Sequence, residues 1–489
     1  MNSLPRPLPR HRPRPRRHAL CLLLLAAAPL PGQPPGAQPT APPPAVTGEQ
    51  ITFTLPQAVE RAISFNPDIL RGEQAVREAL GKARETRAIA WPKLGADANW
   101  NRIDPSNFES FDTPQGSVTF GQEETWDLTT RLTQVLYSGG QVRASLKIAE
   151  LLDDAAVYDY ERIVADILLQ VTQAFYNVLV ARQNVTVREE SAALLTEQLR
   201  ISTHRYEAGS APRFDVLRAE VELANAQPPL IRARNDLILA KLRLARLLAL
   251  GRDQPGVETQ ARRMDVVGSF DLPVEPEDME EAIDDALALR PEIRALEQQL
   301  SIQRQNRTLA AAGTKPSIGA FGQYGWRSGQ LFDDVFDGWT VGLQATWNLF
   351  DGFLTQGRVE QADAQLQSLI ISLDDTRRQI ELDARTAWAN LQEAIELLQA
   401  QQKSVATAEE SLRLANVRYQ TGQGTQLEVL DAQVALTEAR TNQVEAQYSY
   451  HSAKAEMLKA RGRSVIPYRP FLPFSAPPAP AAPPPPAAP

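Results

Sequence analysis

The sequence predicts a mainly α-helical chain that also contributes strands to a membrane β-barrel. Three observations carry that prediction. The chain is written twice. Each copy contains a proline-free run of 68 residues with a seven-residue apolar repeat, at 139–206 and 352–419. Just before each run the apolar period drops to two, the spacing of a strand with one greasy and one polar face.

Composition narrows the class further. Of 37 prolines in 489 residues, 13 fall in residues 1–45 and 11 in residues 464–489, so the proline excess belongs to two tails. The part between is rich in Ala, Leu, Gln, Glu and Arg, as helical proteins are. Net charge is −8, but residues 1–45 hold six Arg and no acid, leaving −14 on the remainder. So acidic a body argues against a nucleic-acid binder, which needs clustered Lys and Arg for phosphates. The single cysteine, Cys21, excludes a disulfide framework and a thiolate metal site. Beyond residue 45 there are two histidines, His204 and His451, and no glycine-rich phosphate loop following a strand. The expectation is a protein without enzymatic activity, cofactor or metal, and His204 reads as a surface residue.

The N-terminus reads as an address. Arg6, Arg10, Arg12, Arg14, Arg16 and Arg17 precede an apolar run from Ala19 to Leu30, then small residues and prolines. That is the layout of a secretory signal peptide, assigned to 1–28 with cleavage as late as 45, followed by a Pro-rich linker over 29–50. Cys21 follows Leu20 rather than a small residue, which argues against a lipid anchor there. No later stretch offers 18 consecutive apolar residues, so no transmembrane helix is expected. An exported chain of this kind is periplasmic, secreted, or a β-barrel protein.

The repeat sets the element order. Asn66-Pro67-Asp68-Ile69 recurs as Arg290-Pro291-Glu292-Ile293, an offset of 224. Arg205-Tyr206-Glu207-Ala208-Gly209 recurs as Arg418-Tyr419-Gln420-Thr421-Gly422, an offset of 213. The difference of eleven places extra length in the first copy, in the polar stretch Asn101–Gln122, read as a longer loop. The domains are therefore a first repeat over 51–250, a connecting segment over 251–277, a second repeat over 278–463 and a disordered Pro/Ala-rich tail over 464–489.

In the first long run Val157, Val164, Val171, Val178, Val185, Ala192, Leu199 and Tyr206 recur every seven residues. The second gives Ile370, Arg377, Ala384, Leu391, Leu398, Val405, Leu412 and Tyr419. Heptads this long specify a coiled-coil-like helix, about 100 Å in length. Upstream, Trp339, Val341, Leu343, Ala345, Trp347 and Leu349 alternate with polar or small residues, and Trp126–Leu136 repeats the pattern less cleanly. Each strand takes a partner upstream, around Lys93–Arg102 and Ser317–Trp326. Trp126, Trp339 and Trp347 stand where interfacial aromatics belong. Four strands cannot close a membrane barrel, whose smallest form has eight, and open edges in lipid leave backbone groups unsatisfied. The strands must be shared between copies, in a dimer or a trimer.

The signal peptide, the duplicated helix–hairpin–long-helix units, the Tyr-Ser-Gly-Gly and Phe-Asp-Gly-Phe junctions at 137–140 and 350–353, and the two Arg-Tyr-x-x-Gly turns together resemble the TolC-type outer-membrane efflux protein family. The resemblance covers residues 50–463. It implies a homotrimer whose three chains share a twelve-stranded barrel in the outer membrane of a Gram-negative bacterium, above a long α-helical barrel in the periplasm. Shorter helices, about 56–90, 212–250, 278–312 and 425–463, would pack beside the long ones, and 251–277 would lie at the equator. Pro228-Pro229 departs from a regular third helix and should break or kink it.

The resemblance also assigns roles. The Arg-Tyr-x-x-Gly turns become periplasmic tips that meet a periplasmic adaptor (a membrane fusion protein), with an inner-membrane ABC or proton-driven transporter beyond it. The tip residues are Arg205, Tyr206, Gly209, Arg213, Asp215, Arg418, Tyr419 and Gly422. Glu428 and Asp431 match the family's acidic pair past the second tip, and in a trimer would form two carboxylate rings that favour cations. In the first copy Asp215 matches Glu428, while Arg218 stands in place of Asp431. Gly424 stands where some members carry a latch arginine, a role Arg213 could take. For cargo, the resemblance implies type I protein secretion or small-molecule efflux. The lack of a lipidation cysteine favours protein secretion.

Overall fold

The computed structural model describes residues 51–107, 110–114, 116–119, 123–251, 263–270, 277–329 and 336–463. The expected signal peptide, linker and C-terminal tail, and most of the segment 251–277, lie outside the described residues.

The helices come in matched pairs. The first repeat has α1 (Leu55–Phe65), α2 (Pro67–Arg87), α3 (Gln141–Glu207) and α4 (Arg213–Leu247). The second has α5 (Met279–Leu289), α6 (Pro291–Ala311), α7 (Leu354–Gln420) and α8 (Gln426–Ala460). Both long helices are 67 residues, in line with the proline-free runs. The short helix expected over 56–90 is instead two, split before Pro67, because the proline ring keeps the preceding residue out of the helical region. Asn66 sits extended at the break, accepts from the N–H of Asp68 at 2.8 Å, and donates to the Leu247 carbonyl at 2.9 Å. Arg290-Pro291 splits the counterpart in the second repeat, where Arg290 is held by Glu292 at 2.8 Å and Asp383 at 3.0 Å.

α4 runs through Pro228 and Pro229 as one helix, so of the expected break or kink there is no break. Each proline removes the donor for a carbonyl four residues back, on Ala224 and Asn225. Both of those residues are exposed, so water can take the freed carbonyls, while Leu230 is buried and anchors the next turn.

α3 is the core of the first repeat. Val164, Leu168, Val171, Phe175, Val178 and Leu179 are buried against Val59 and Ile63 of α1 and Leu244 of α4. An 18-residue window of α3 has a mean hydropathy of 1.5, enough for a membrane span, but half of it is buried inside the protomer. In α7 the buried seam reads Leu373, Ile380, Ala384, Ala387, Leu391 and Ala394. Ile370 and Arg377, members of the expected heptad, are exposed instead. A straight helix drifts about 20° per heptad, so no single register faces one neighbour throughout. α7 changes neighbour as well, packing on α6 along one part and on α8 along another.

Where α8 ends, Arg461 is buried among carboxylates: it donates to Asp285 at 2.8 Å and Glu281 at 2.7 Å and also pairs with Glu277. These bonds tie α8 to the start of α5.

Eight strands are described. β1 (Ile51–Phe53) pairs in parallel with β6 (Met264–Val266), joining the start of the first repeat to the segment between repeats. β3 (Ser110–Thr113) and β4 (Gly116–Thr119) form a hairpin within the stretch expected to be a longer loop. The remaining four are β2 (Lys93–Arg102), β5 (Glu124–Ser138), β7 (Ser317–Ser328) and β8 (Phe336–Thr346), in one antiparallel sheet of order β2-β5-β7-β8. β5–β7 pairing joins the two predicted hairpins. The alternation is less clean in the first copy because Thr130 and Gln134 stand in the apolar row, and a register shift between Val135 and Tyr137 moves the side chains beyond it to the other face. β8 stops at Thr346, so Trp347 and Leu349 lie past it; the Trp347 indole N–H donates to the Thr314 carbonyl at 3.1 Å.

Candidate functional site: the sheet face and the helix-hairpin tips

The register sorts the sheet into two faces. Leu94, Ala98 and Trp100 stand beside Leu132, Leu128 and Trp126, and the same row continues through Trp326, Tyr324, Trp339 and Val341. The opposite face carries Asp97, Asn99, Asp127, Arg131, Gln323, Arg327 and Thr340. There Arg327 pairs with Asp127 at 2.8 Å. On β8 the apolar row is bare: Trp339 is 74% exposed and Leu343 73%. β2 and β8 are both sheet edges with no strand beyond them among the described residues.

Trp126 and Trp339 both belong to this apolar row, and Trp347 lies at the other end of β8. Sequence reading missed Trp100, Tyr324 and Trp326, which join them: Trp100 lies 5.8 Å from Trp126, and Tyr324 4.6 Å from Trp326, centroid to centroid. The repeat offset of 224 maps Trp100 onto Tyr324 and could have found those two, whereas Trp326 maps onto Arg102.

At the far end of the long helices the Arg-Tyr-x-x-Gly motif encodes one turn. In α3 the Ser210 N–H bonds the Arg205 carbonyl at 2.8 Å and the Gly209 N–H bonds Tyr206 at 2.9 Å. In α7 Gln423 bonds Arg418 at 2.9 Å and Gly422 bonds Tyr419 at 3.3 Å. This is the Schellman closure, whose pivot residue must be left-handed. Gly209 has φ +73° and Gly422 +74°, and nothing lies within 4 Å of a Cβ added at either. Glycine is needed there for conformation, not for space.

Each hairpin then starts its second helix. Thr425 caps α8 by accepting from the Glu428 N–H at 3.3 Å; Pro212 precedes Arg213 in α4. Gln426 is buried and donates to Ser202 of α3 at 3.0 Å and to the Asp215 carbonyl at 3.1 Å, locking the two hairpins together. No repeat signal marked it, because the offset of 213 maps Gln426 onto Arg213.

The structure brings several candidate residues together. The guanidinium of Arg205 lies 4.5 Å from the centre of the Tyr419 ring. Arg418 meets Glu428 at 3.4 Å and donates to the Gln423 carbonyl at 3.3 Å. Gly424 closes over this pair: a Cβ there would stand 3.0 Å from the Arg418 Cβ and 3.2 Å from a Glu428 carboxylate oxygen. Glu428 is half-buried and Asp431 exposed, three residues apart on α8; Arg213 is exposed. His204 is exposed and lies 3.5 Å from Glu207.

A family profile described as outer membrane efflux protein matches residues 58–250 and 282–463, one stretch for each repeat. Outer membrane efflux protein BepC of Brucella suis is 25% identical over 426 residues, spanning 83% of this chain and 90% of that protein. The alkaline protease secretion protein AprF of Pseudomonas aeruginosa is 23% identical, over 60% of each chain. Among solved structures, the outer membrane protein VceC of Vibrio cholerae superposes with a TM-score of 0.72 at 21% identity, covering 84% of this chain and 96% of that one. With both repeats matched and the channel fold shared, the chain belongs to the outer membrane efflux protein family and is a TolC-type channel chain of the outer membrane.

Proposed function

We propose that three copies of this chain form an export duct, working with a periplasmic adaptor and an inner-membrane transporter. The observation that carries the reading is the four-stranded sheet with one apolar face and two edges left unpaired among the described residues. Backbone groups at an edge cannot stay unsatisfied in hydrocarbon, so β8 of one copy pairs with β2 of the next until the barrel closes. Three copies give twelve strands, with the Asp127–Arg327 face lining the lumen. The long helices continue the lumen into the periplasm and end at the tips.

The tip residues Arg205, Tyr206, Gly209, Arg213, Asp215, Arg418, Tyr419 and Gly422 form the surface offered to the adaptor. Glu428 and Asp431 form the narrowing. On a helix their spacing puts both on one face, and threefold repetition makes two rings of carboxylates that attract cations and slow anions. Extraction from outer membranes only with detergent, and heat-dependent migration on denaturing gels, test the duct. Recovery from the soluble periplasm would sink it in favour of a coiled-coil scaffold.

For cargo, type I protein secretion is the first reading, supported by the likeness to a protein named for alkaline protease secretion. Small-molecule efflux is the second, supported by the likeness to a protein named for efflux. Comparing secreted proteins and dye sensitivity between wild-type and deletion strains separates them.

A further inference from the structure

The two tips carry the same motif in different states. Tyr419 is 7% exposed and lies beneath Arg205; Tyr206, its equivalent in the first repeat, is 45% exposed. Arg418, the equivalent of Arg205, has no aromatic beneath it among the described residues. One donor and one acceptor of the same contact are therefore left over, at opposite flanks of the chain.

The helix order explains why. α4 packs on α3, α3 on α8, and α8 on α7, so the lower helices stand side by side as α4, α3, α8, α7. Since α3 corresponds to α7 and α4 to α8, this row alternates second helix, first helix, second helix, first helix. The Arg205–Tyr419 contact crosses from the first hairpin to the second. The equivalent step from the second hairpin leads off the α7 flank, where a further copy would present its α4 and α3.

We infer that Arg418 stacks on Tyr206 of the neighbouring copy, so that a trimer closes a ring of six arginine–tyrosine contacts, three within chains and three between them. The inference rests on the three-copy reading above and adds the residues that join the copies at the tips. A head-to-tail interface of this kind closes into a ring when its rotation is right, and the internal contact already supplies the geometry of half the steps. A guanidinium presents its flat face to a ring while its edge stays free for hydrogen bonds. Arg205 does both, reaching the Tyr419 carbonyl at 3.5 Å while lying over the ring. Arg418 can thus keep Glu428 on its edge and take the neighbour's Tyr206 on its face. That arrangement ties the joint between copies directly to the acidic pair on α8.

Cysteine pairs test this, because Cys21 is the chain's single cysteine and can be changed to serine. Arg205→Cys with Tyr419→Cys, treated with a short bifunctional thiol reagent, should cross-link within one chain and run as a monomer on denaturing gels. Tyr206→Cys with Arg418→Cys under the same reagent should instead run as a covalent trimer. If the second variant stays monomeric on denaturing gels while the untreated protein migrates as a native trimer, the inference falls and the trimer stands. If no trimer is found by either route, both fall. Tyr206→Phe should keep, and Tyr206→Ala should lose, the resistance of the native trimer tips to protease. Equal resistance in the two variants would also overturn the contact.

Discussion

The ammonium of Lys454 stands 2.5 Å from the carboxylate of Glu277, which Arg461 grips from the other side. Burial pushes the Glu277 carboxyl up, but these two cations outweigh it and hold it below its ordinary value of 4.5. A carboxylate lowered by folding adds stability above its unfolded value, and that contribution is lost as pH falls through the folded one. The α5–α8 joint should therefore loosen below about pH 4.5, seen as new protease cleavage near residue 460. Glu277→Gln should flatten that pH dependence; an unchanged profile would remove Glu277 from the explanation.

Arg461 is 6% exposed in its side chain and serves three carboxylates. Arg461→Ala leaves the half-buried Glu277 and Asp285 with Lys454 and Arg463 as their remaining cations, and should cost about 1–3 kcal/mol in chemical unfolding. A loss well under 1 kcal/mol would mean that water replaces the guanidinium.

Gly209→Ala and Gly422→Ala each force a Cβ into a left-handed residue and should cost roughly 1–2 kcal/mol, read as faster hydrogen exchange in the last turns of α3 and α7. Asparagine, which tolerates that conformation, should cost less. No contact is lost in either case, so equal effects of alanine and asparagine would point away from conformation.

Leu343→Arg should reduce assembly in the outer membrane, because it puts a charge on the apolar face at a cost of about 2–4 kcal/mol at mid-depth. Thr340→Arg, on the other face of the same strand, should assemble normally. Equal assembly of both would mean that the apolar row does not face lipid.

Glu428→Ala with Asp431→Ala should raise single-channel conductance or weaken cation preference in planar bilayers. If neither changes, the narrowing lies elsewhere.

What could be read in advance was what local periodicity records. The seven-residue and two-residue spacings, the proline-free runs and the two glycines located the long helices, the strands and the turns. Pro67 and Pro291 were visible too, yet each helix pair was read as one because the apolar pattern runs on past the break. At Pro228 and Pro229 the helix does not stop, since Ala224 and Asn225 are exposed to water and a buried Leu230 anchors the next turn. Contacts between distant segments were silent. The three-residue β1–β6 pair has no period to detect, Gln426 has no glutamine counterpart in the first repeat, and the stacking of Arg205 on Tyr419 follows from helix order rather than spacing. The apolar row of Trp100, Trp126 and Trp326 needed the register before it became one surface.

The two repeats differ in length, yet α3 and α7 are equal, α4 and α8 are both 35 residues, and the links 208–212 and 421–425 match. All the surplus lies in and around the β3–β4 hairpin. The lower hairpins thus behave as struts cut to one gauge: adding a single residue to one strut would turn everything beyond it by about 100° and set that tip out of level with its twin. The two copies differ in length only at the end carrying the hairpin. The opposite end, where every hairpin must finish together, holds its measure to the residue.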